Sequence, residues 1–220
     1  MNGRPSFLEN IPVVTRNLLY VNIIMFVASL INPAFMQDTF AMAFPLSRGF
    51  RWWQPLTHMF MHDGWMHIFF NMYSLVMFGM VVERALGTRK FIWFYLITGF
   101  GAVLLHTGVE FLEVRHLIGE YPGIDPQSIY NSIPGVLGAS GAVYGVLVAF
   151  AMLYPQAKLT LIFPPITLDA KWWVIIFIGI ELVTGITGTQ MGVAHFAHLG
   201  GALFGWLLIR YWRKTGKLYR

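Results

Sequence analysis

A serine lies in a glycine-containing stretch, Gly138-Ala139-Ser140-Gly141, at the predicted start of a short apolar helix. The first turn of a helix has unpaired backbone N–H groups and the positive end of the helix dipole, so it favours a developing negative charge. Ser is also a favoured N-cap residue, and capping is the commoner role for such a motif on its own. The stretch therefore indicates either a helix cap or a nucleophilic serine whose oxyanion would be stabilised by backbone N–H groups.

Two histidines in the last apolar segment, His195 and His198, are candidates for a general base. Ionisable side chains inside a membrane helix are unfavourable, which makes them candidates for function. Small residues recur four apart on both helices: Gly141 and Gly145 after the serine, and Gly201 and Gly205 after His198. Such patterns let two helix backbones approach closely, which would bring an imidazole within hydrogen-bond reach of the hydroxyl. The spacing leaves open whether the histidine is structural or catalytic.

A third polar group, His62, Asp63, His67 and Asn71, opens the second apolar segment. His67 and Asn71 lie four residues apart on one helix face, and both side chains can donate hydrogen bonds to an oxyanion. His58, His62 and His67 could also converge on a metal ion. We predict no metal site, because the chain has no HExxH motif, no cysteine and few carboxylates. For His58 and His62 we favour helix capping or loop anchoring.

The composition places these residues in a lipid environment. Of 220 residues, 56% are hydrophobic and 11% are charged, whereas soluble domains have about 25% charged residues. A helix of about 20 apolar residues crosses a bilayer core of about 30 Å. We predict six such spans near residues 17–34, 66–83, 91–111, 140–154, 172–187 and 194–212. The chain is therefore predicted to be one all-α integral membrane domain over residues 1–220, embedded in the lipid bilayer, with a short basic tail over 213–220.

The fourth span is the shortest, which bears on the depth of Ser140. From Ser140 to Tyr154 it has about 15 residues, or roughly 22 Å of helix, several ångströms less than the hydrocarbon core. With its cytoplasmic end at the membrane interface, this helix would hold Ser140 below the opposite surface. Irregular backbone at that depth is tolerated where protein or a water-filled cavity satisfies it. The sequence thus predicts a serine in a cavity open to water, which intramembrane hydrolysis requires.

The net charge of +5 is interpreted as a topology signal, not as a nucleic-acid-binding surface. Basic residues fall before the first span, between the second and third, between the fourth and fifth, and after the last: Arg4, Arg16, Arg84, Arg89, Lys90, Lys158, Lys171, Arg210, Arg213, Lys214, Lys217 and Arg220. This pattern predicts that both termini are cytoplasmic. A compact six-span chain of this kind is expected in a bacterial inner membrane. The absence of cysteine excludes disulfides and a cysteine nucleophile.

Taken in order, these residues resemble the rhomboid family of intramembrane serine proteases over about residues 51–205. The matching segments are Trp53-Gln54, Thr57 to His62, His67-x-x-x-Asn71, Glu83-Arg84 with Gly87, Gly138-x-Ser140-Gly141 with Tyr144, and Ala197-His198-x-x-Gly201-x-x-x-Gly205. The resemblance implies a compact bundle of six transmembrane helices and a serine–histidine dyad without an aspartate. It also implies that transmembrane proteins are the substrates and that no cofactor is needed.

The resemblance also implies a role for each matching position. Ser140 would be the nucleophile and His198 the general base. The implied oxyanion donors are His67, Asn71 and the backbone N–H groups of Ala139 and Ser140. The implied supporting positions are Tyr144, which would stack on His198, and the glycines Gly138, Gly141 and Gly201. Ala197-His198 with the glycines that follow fits the family pattern, whereas the register of His195 does not.

Several features depart from the resemblance or are left unexplained by it. Some family members have Trp-Arg where this chain has Trp53-Gln54, which leaves the packing of the first loop open. Glu83 and Arg84 are interpreted as structural. Glu181 lies inside the fifth span, and its partner is not visible in the sequence.

The alternative function is a proteolytically inactive rhomboid-like protein that binds membrane clients. A small transporter is disfavoured, because paired ionisable residues at mid-membrane and broken helices are not apparent.

Overall fold

A computed structural model describes residues 7–161, 164–188 and 194–218, which form a bundle of α-helices with one small β-hairpin. The helices are α1 (Val13–Ile31), α2 (Pro33–Phe40), α3 (Gln54–Thr57), α4 (Trp65–Ser74), α5 (Met80–Leu86), α6 (Thr88–Glu120), α7 (Pro126–Ser132), α8 (Ser140–Leu153), α9 (Ala170–Thr187) and α10 (His195–Lys214). A π-helical turn, Leu75–Gly79, joins α4 to α5 into one continuous segment. Strands β1 (Lys158–Thr160) and β2 (Thr167–Asp169) pair antiparallel between α8 and α9.

A helix lies at each of the six predicted spans. Within the described residues, four helical segments are long and apolar enough to cross a bilayer: Val13–Ile31, Trp65–Leu86, Thr88–Glu120 and Ala170–Thr187. The fourth predicted span is a shorter apolar helix, α8, of 14 residues. The fold is therefore an all-α membrane bundle, and the number of helices that cross the bilayer stays a prediction.

Several boundaries differ from the sequence prediction. Helix α1 begins at Val13 instead of residue 17, and the segment formed by α4 and α5 ends at Leu86 instead of residue 83. The first span was expected to reach residue 34, but α1 ends at Ile31. The side chain of Asn32 accepts a hydrogen bond from the N–H of Phe35 at 3.2 Å, and Pro33 follows it, so a new helix starts there. Helix α6 continues to Glu120 instead of ending near residue 111. Helix α10 extends into the predicted tail, and Leu218 beyond it is buried.

Helix α8 lies at the centre of the bundle, where α6, α9, α10 and the π-helical turn pack around it. Nine of its 14 residues are buried, which shows how completely its neighbours enclose it. The outward faces of the bundle are apolar, with Ile31 of α1 82% exposed and Ile186 of α9 72% exposed. Large apolar surfaces of this kind are rare on soluble monomers and suit contact with lipid tails. The chain is an integral, multi-pass membrane protein.

A buried carboxylate, Glu83, connects α5 to the start of α1. It is 2% exposed and accepts hydrogen bonds from the N–H groups of Val14 (3.0 Å) and Thr15 (2.7 Å) and from the Thr15 hydroxyl (2.8 Å). These N–H groups belong to the first turn of α1, where a negative charge is favourable. The neighbouring Arg84 donates to the carbonyl of Asn10 at 2.7 Å. Both contacts agree with the structural interpretation of this pair.

Replacing Glu83 with Ala should lower the free energy of unfolding by about 2–4 kcal/mol, because three hydrogen bonds to a charged acceptor are lost. The measurement is the thermal unfolding midpoint of the purified protein in detergent. Glu113→Ala is the matched control, since Glu113 is exposed on α6, and it should change stability by less than about 0.5 kcal/mol. An unchanged midpoint for the Glu83 variant would contradict the capping role.

Candidate active site

Ser140 and His198 lie side by side although they are 58 residues apart in the chain. The His198 Nε2 atom is 2.8 Å from the Ser140 Oγ atom. Ser140 is the first residue of α8, and His198 is in the first turn of α10. Both residues are partly buried, and the His198 side chain is 12% exposed. The structure therefore brings the proposed nucleophile and base to hydrogen-bond distance.

Close approach of the α8 and α10 backbones accounts for this distance. A Cβ atom added to Gly201 would overlap the carbonyl oxygen of Gly141. A Cβ atom added to Gly205 would lie 2.9 Å from the Cα atom of Gly145. Any side chain at these positions would push the helices apart, so glycine is required for the contact. The small-residue pattern seen in the sequence thus forms the interface that places Ser140 against His198.

The N-terminus of α8 is arranged to receive an acceptor from outside the helix. Ala139 occupies the N-cap position, and no side chain in the described part of the chain caps this end. Ser140 is the first helical residue and its hydroxyl contacts His198, so the capping alternative does not describe its place in the structure. The N–H groups of the first turn are left for a ligand such as an oxyanion.

Gly138 brings His67 against the turn that precedes Ser140. Its φ angle is +129°, in the region that favours glycine. A Cβ atom at this position would lie 2.8 Å from His67 Nε2 and 3.5 Å from Ser140 Oγ. A larger residue would therefore be strained and would displace the His67 ring. The glycine keeps both side chains next to the same backbone turn.

His67 is held by the carboxylate of Asp63, for which the sequence pattern indicated no role. Its Nδ1 atom is 2.6 Å from Asp63 Oδ1. A ring nitrogen facing a carboxylate carries a proton, so Nε2 can donate only when the ring holds a second proton. Asp63 and His67 are four residues apart, and this spacing is the sequence feature from which their contact could have been predicted. Asn71, the other expected donor, uses its amide to donate to the His67 carbonyl at 2.9 Å.

Gln54, where the resemblance left the loop packing open, organises the first loop. Its side chain is 1% exposed. The oxygen accepts from the N–H groups of Ala43 (3.2 Å) and Arg51 (3.0 Å), and the nitrogen donates to the carbonyls of Asp38 (3.3 Å) and Gly49 (3.2 Å). These four bonds use the full capacity of an amide side chain. Glutamine therefore suits this buried position.

Backbone hydrogen bonds join this loop to the segment that leads into Ser140. Met42 and Val136 each donate to the carbonyl of the other at 2.8 Å. The N–H group of Gly138 donates to the carbonyl of His58 at 2.9 Å. The loop and the serine turn are thus one hydrogen-bonded unit, which fixes the position of the turn.

The remaining loop histidines, His58 and His62, are buried and neutral. His58 Nδ1 lies 3.1 Å from the Gln54 carbonyl, and the His62 ring packs edge-on against His67 at 4.9 Å. Burial lowers the pKa of His58 to about 4 and the pKa of His62 to about 3. The His58 contact suits loop anchoring, whereas neither ring nitrogen of His62 has a hydrogen-bond partner among the described residues. Among the described residues, no group of three or more His, Cys, Asp or Glu side chains could hold a metal ion.

Glu181, whose partner was not visible in the sequence, meets residues of both α8 and α10. Its Oε1 atom accepts from the Tyr144 hydroxyl at 2.5 Å and lies 2.9 Å from His198 Nδ1. Its Oε2 atom is 2.6 Å from His195 Nδ1. The Tyr144 ring stacks on His198, with centroids 4.5 Å apart and planes 6° apart. Both histidines therefore contact Glu181, and of the two His198 is the one that contacts Ser140.

A family model described as the rhomboid domain matches residues 49–215, which contain all of these site positions. The chain belongs to the rhomboid family. The resemblance seen in the sequence is confirmed at this level.

Relatives of this rhomboid-family chain come from bacteria, plants and animals. Rhomboid protease AarA of Providencia stuartii is 31% identical over 71% of this chain and 54% of its own length. RHOMBOID-like protein 1 of Arabidopsis thaliana is 31% identical over 71% of this chain and 33% of its own length. Presenilin-associated rhomboid-like protein, mitochondrial, of Bos taurus is 33% identical over 69% of this chain and 36% of its own length. This chain spans about half the length of these relatives or less.

Replacing Gly201 with Ala should separate α8 from α10 and lower the reactivity of Ser140. We expect labelling of Ser140 by a fluorophosphonate probe to become about 10²-fold slower, because displacements near 1 Å have effects of that size. Gly179→Ala is the matched control, since an added Cβ there meets nothing within 4 Å. Equal labelling rates for the two variants would contradict the role of the glycine contact.

Proposed function

We propose that this rhomboid-family protein is an intramembrane serine endopeptidase that hydrolyses peptide bonds in or near transmembrane segments of membrane-protein substrates. The observation that carries the proposal is the 2.8 Å contact between Ser140 Oγ and His198 Nε2 at the uncapped start of α8. A helix N-terminus supplies the positive potential that a tetrahedral oxyanion needs. The similarity to Rhomboid protease AarA supports the same reaction class.

The first half-reaction forms an acyl-enzyme. His198 Nε2 takes the proton of the Ser140 hydroxyl as Oγ attacks the scissile carbonyl. The negative charge on the carbonyl oxygen is stabilised by the N–H groups of Ala139 and Ser140 and by His67 Nε2. Asn71 adds a donor through the second N–H of its amide, the first being bonded to the His67 carbonyl. His198 then gives its proton to the leaving amine, and the C–N bond breaks.

The second half-reaction restores the enzyme with water. His198 accepts a proton from a water molecule, whose oxygen attacks the acyl carbonyl under the same oxyanion donors. Collapse of the intermediate breaks the bond to Ser140 Oγ, which takes back the proton from His198. The products are a new carboxylate and a new amine, and no cofactor takes part.

Substrate entry beside α9 fits the packing of that helix. Its buried residues are Ala170, Trp173 and Glu181, and most of its other side chains face outward. A substrate segment that unwinds at small or helix-breaking residues would pass α9 near Trp172 and Phe177 to reach Ser140. Loose packing makes α9 easier to displace than the central helix.

The proposed location is a bacterial inner membrane with both termini in the cytoplasm. Three basic side chains on the same end of the bundle donate to backbone carbonyls there: Arg84 to Asn10 (2.7 Å), Lys90 to Lys217 (2.5 Å) and Arg213 to Met152 (2.9 Å). Basic residues at the cytoplasmic face agree with the positive-inside rule.

A fusion of the C-terminus to an enzyme that is active only in the periplasm tests this orientation. The fused enzyme should be inactive. Activity of the fused enzyme would show that the C-terminus lies outside the cytoplasm.

Cleavage of a reporter transmembrane protein by the purified protein in detergent tests the reaction. Ser140→Ala and His198→Ala should each lower the rate by at least about 10³-fold, since removing either member of such a pair disables the nucleophile. His195→Ala should retain measurable cleavage, because His195 contacts Glu181 and not Ser140. Wild-type cleavage unaffected by Ser140→Ala would end the proposal. A folded wild-type protein that cleaves no reporter would favour the client-binding alternative.

A further inference from the structure

We infer that Glu181 of α9 is a positioning residue for His198, so that three helices supply one serine–histidine–glutamate arrangement. The inference rests on the proposed protease function and goes beyond the dyad that the resemblance implies. Ser140 comes from α8, His198 from α10 and Glu181 from α9. Glu181 is not a catalytic residue in this arrangement, because it acts through His198.

The two nitrogens of the His198 ring face two different partners. Nε2 lies 2.8 Å from Ser140 Oγ, and Nδ1 lies 2.9 Å from Glu181 Oε1. The carboxylate oxygen is off the direction of the ring N–H, so Nδ1 has no aligned hydrogen-bond partner among the described residues. The contact is therefore electrostatic, at ion-pair distance, and not a directed hydrogen bond.

This placement determines which nitrogen can act as the base. A neutral imidazole has one donor and one acceptor nitrogen. A carboxylate beside Nδ1 stabilises the proton on Nδ1 and leaves the lone pair of Nε2 to the Ser140 hydroxyl. When Nε2 takes the serine proton, the resulting imidazolium lies next to a negative charge. Glu181 thus favours both the reactive tautomer and the charged state that follows.

The carboxylate is itself held by donors other than His198. Tyr144 donates to Oε1 at 2.5 Å, and His195 Nδ1 lies 2.6 Å from Oε2. Thr184 Oγ1 lies 3.1 Å from the same His195 nitrogen. Glu181 is 8% exposed, so its orientation is set by these contacts and not by solvent. Because Tyr144 also stacks on His198, it holds the ring and the carboxylate together.

A role in packing alone does not account for a glutamate at this position. Helix α9 is otherwise rich in isoleucine, valine and tryptophan, any of which would fill a buried position without a charge. An ionised side chain within a membrane helix is unfavourable unless it meets partners. Here the partners are the two histidines of α10 and the tyrosine stacked on His198. The charge is therefore placed where it acts on the proposed base.

The test compares Glu181→Gln with Glu110→Gln in the full chain. Glu110 forms a partly buried pair with His106, at 3.0 Å on α6, so its variant makes the same chemical change in another histidine–glutamate pair. Glu181→Gln should lower kcat for reporter cleavage by at least about tenfold and leave KM within about twofold, because orientation of the base matters in the transition state. Glu110→Gln should leave both constants unchanged.

A second measurement reports the tautomer of His198 without requiring activity. Nitrogen-15 spectra of histidine-labelled protein in detergent distinguish a protonated Nδ1 from a protonated Nε2, and the His198→Ala spectrum identifies the His198 signals among the seven histidines. We expect the Nδ1–H form in wild type and a mixture of tautomers in Glu181→Gln.

The outcomes separate this inference from the proposed function. A folded Glu181→Gln protein with wild-type kcat, or with an unchanged His198 tautomer, would overturn the positioning role. A shift of tautomer in a chain whose wild type and Ser140→Ala forms are equally inactive would sustain the positioning role and reject the protease. Partial recovery of kcat in Glu181→Asp, which keeps the charge on a shorter side chain, is expected only from a positioning residue.

Discussion

The backbone contact between α8 and α10 sets the geometry of the whole site. A lipid bilayer gives helices little hydrophobic reason to associate, so close van der Waals packing of small residues has to hold them together. Gly201 lies against Gly141, and Gly205 lies against Gly145. Ser140 immediately precedes one of these glycines, and His198 lies one turn before another. The same contact that packs the bundle therefore fixes the distance between the hydroxyl and the imidazole.

Buried polar side chains connect the remaining elements to this centre. Three of them have several partners each: Glu83 binds the first turn of α1, Gln54 binds four backbone groups of the first loop, and Glu181 joins α9 to both α8 and α10. Unpaired groups of this kind cost several kcal/mol in an apolar medium. These hydrogen bonds form in one arrangement of the helices, whereas contacts between apolar side chains would allow many arrangements.

The helix positions were predictable from apolar length, which is a local property, and the Ser140–His198 pair was implied by the resemblance to the rhomboid family, which is carried by short local motifs. The partner of Glu181 was not predictable in this way. Helix α9 is apolar around most of its circumference, so the sequence pattern does not define its rotation about the helix axis. The three-residue strands of the hairpin are too short to show an alternating pattern. The end of α1 could have been predicted from the sequence, because Asn32 is a favoured helix cap and Pro33 a favoured first residue of the helix that follows.

The two histidines beside the Ser140 turn each have a carboxylate at Nδ1, yet the proposed reaction makes opposite demands on their Nε2 atoms. His198 must accept a proton from Ser140, and His67 must donate to the oxyanion. The surroundings of the two carboxylates differ accordingly, because the Asp63 side chain is 69% exposed and that of Glu181 is 11% exposed. The Asp63–His67 pair therefore lies next to solvent, whereas the Glu181–His198 pair is enclosed by protein. In the proposed reaction, the enclosed ring of His198 receives its second proton from Ser140 or from the attacking water. The same combination of histidine and carboxylate thus occurs exposed on one side of the serine and enclosed on the other, and the proposed reaction uses the first as a donor and the second as a base.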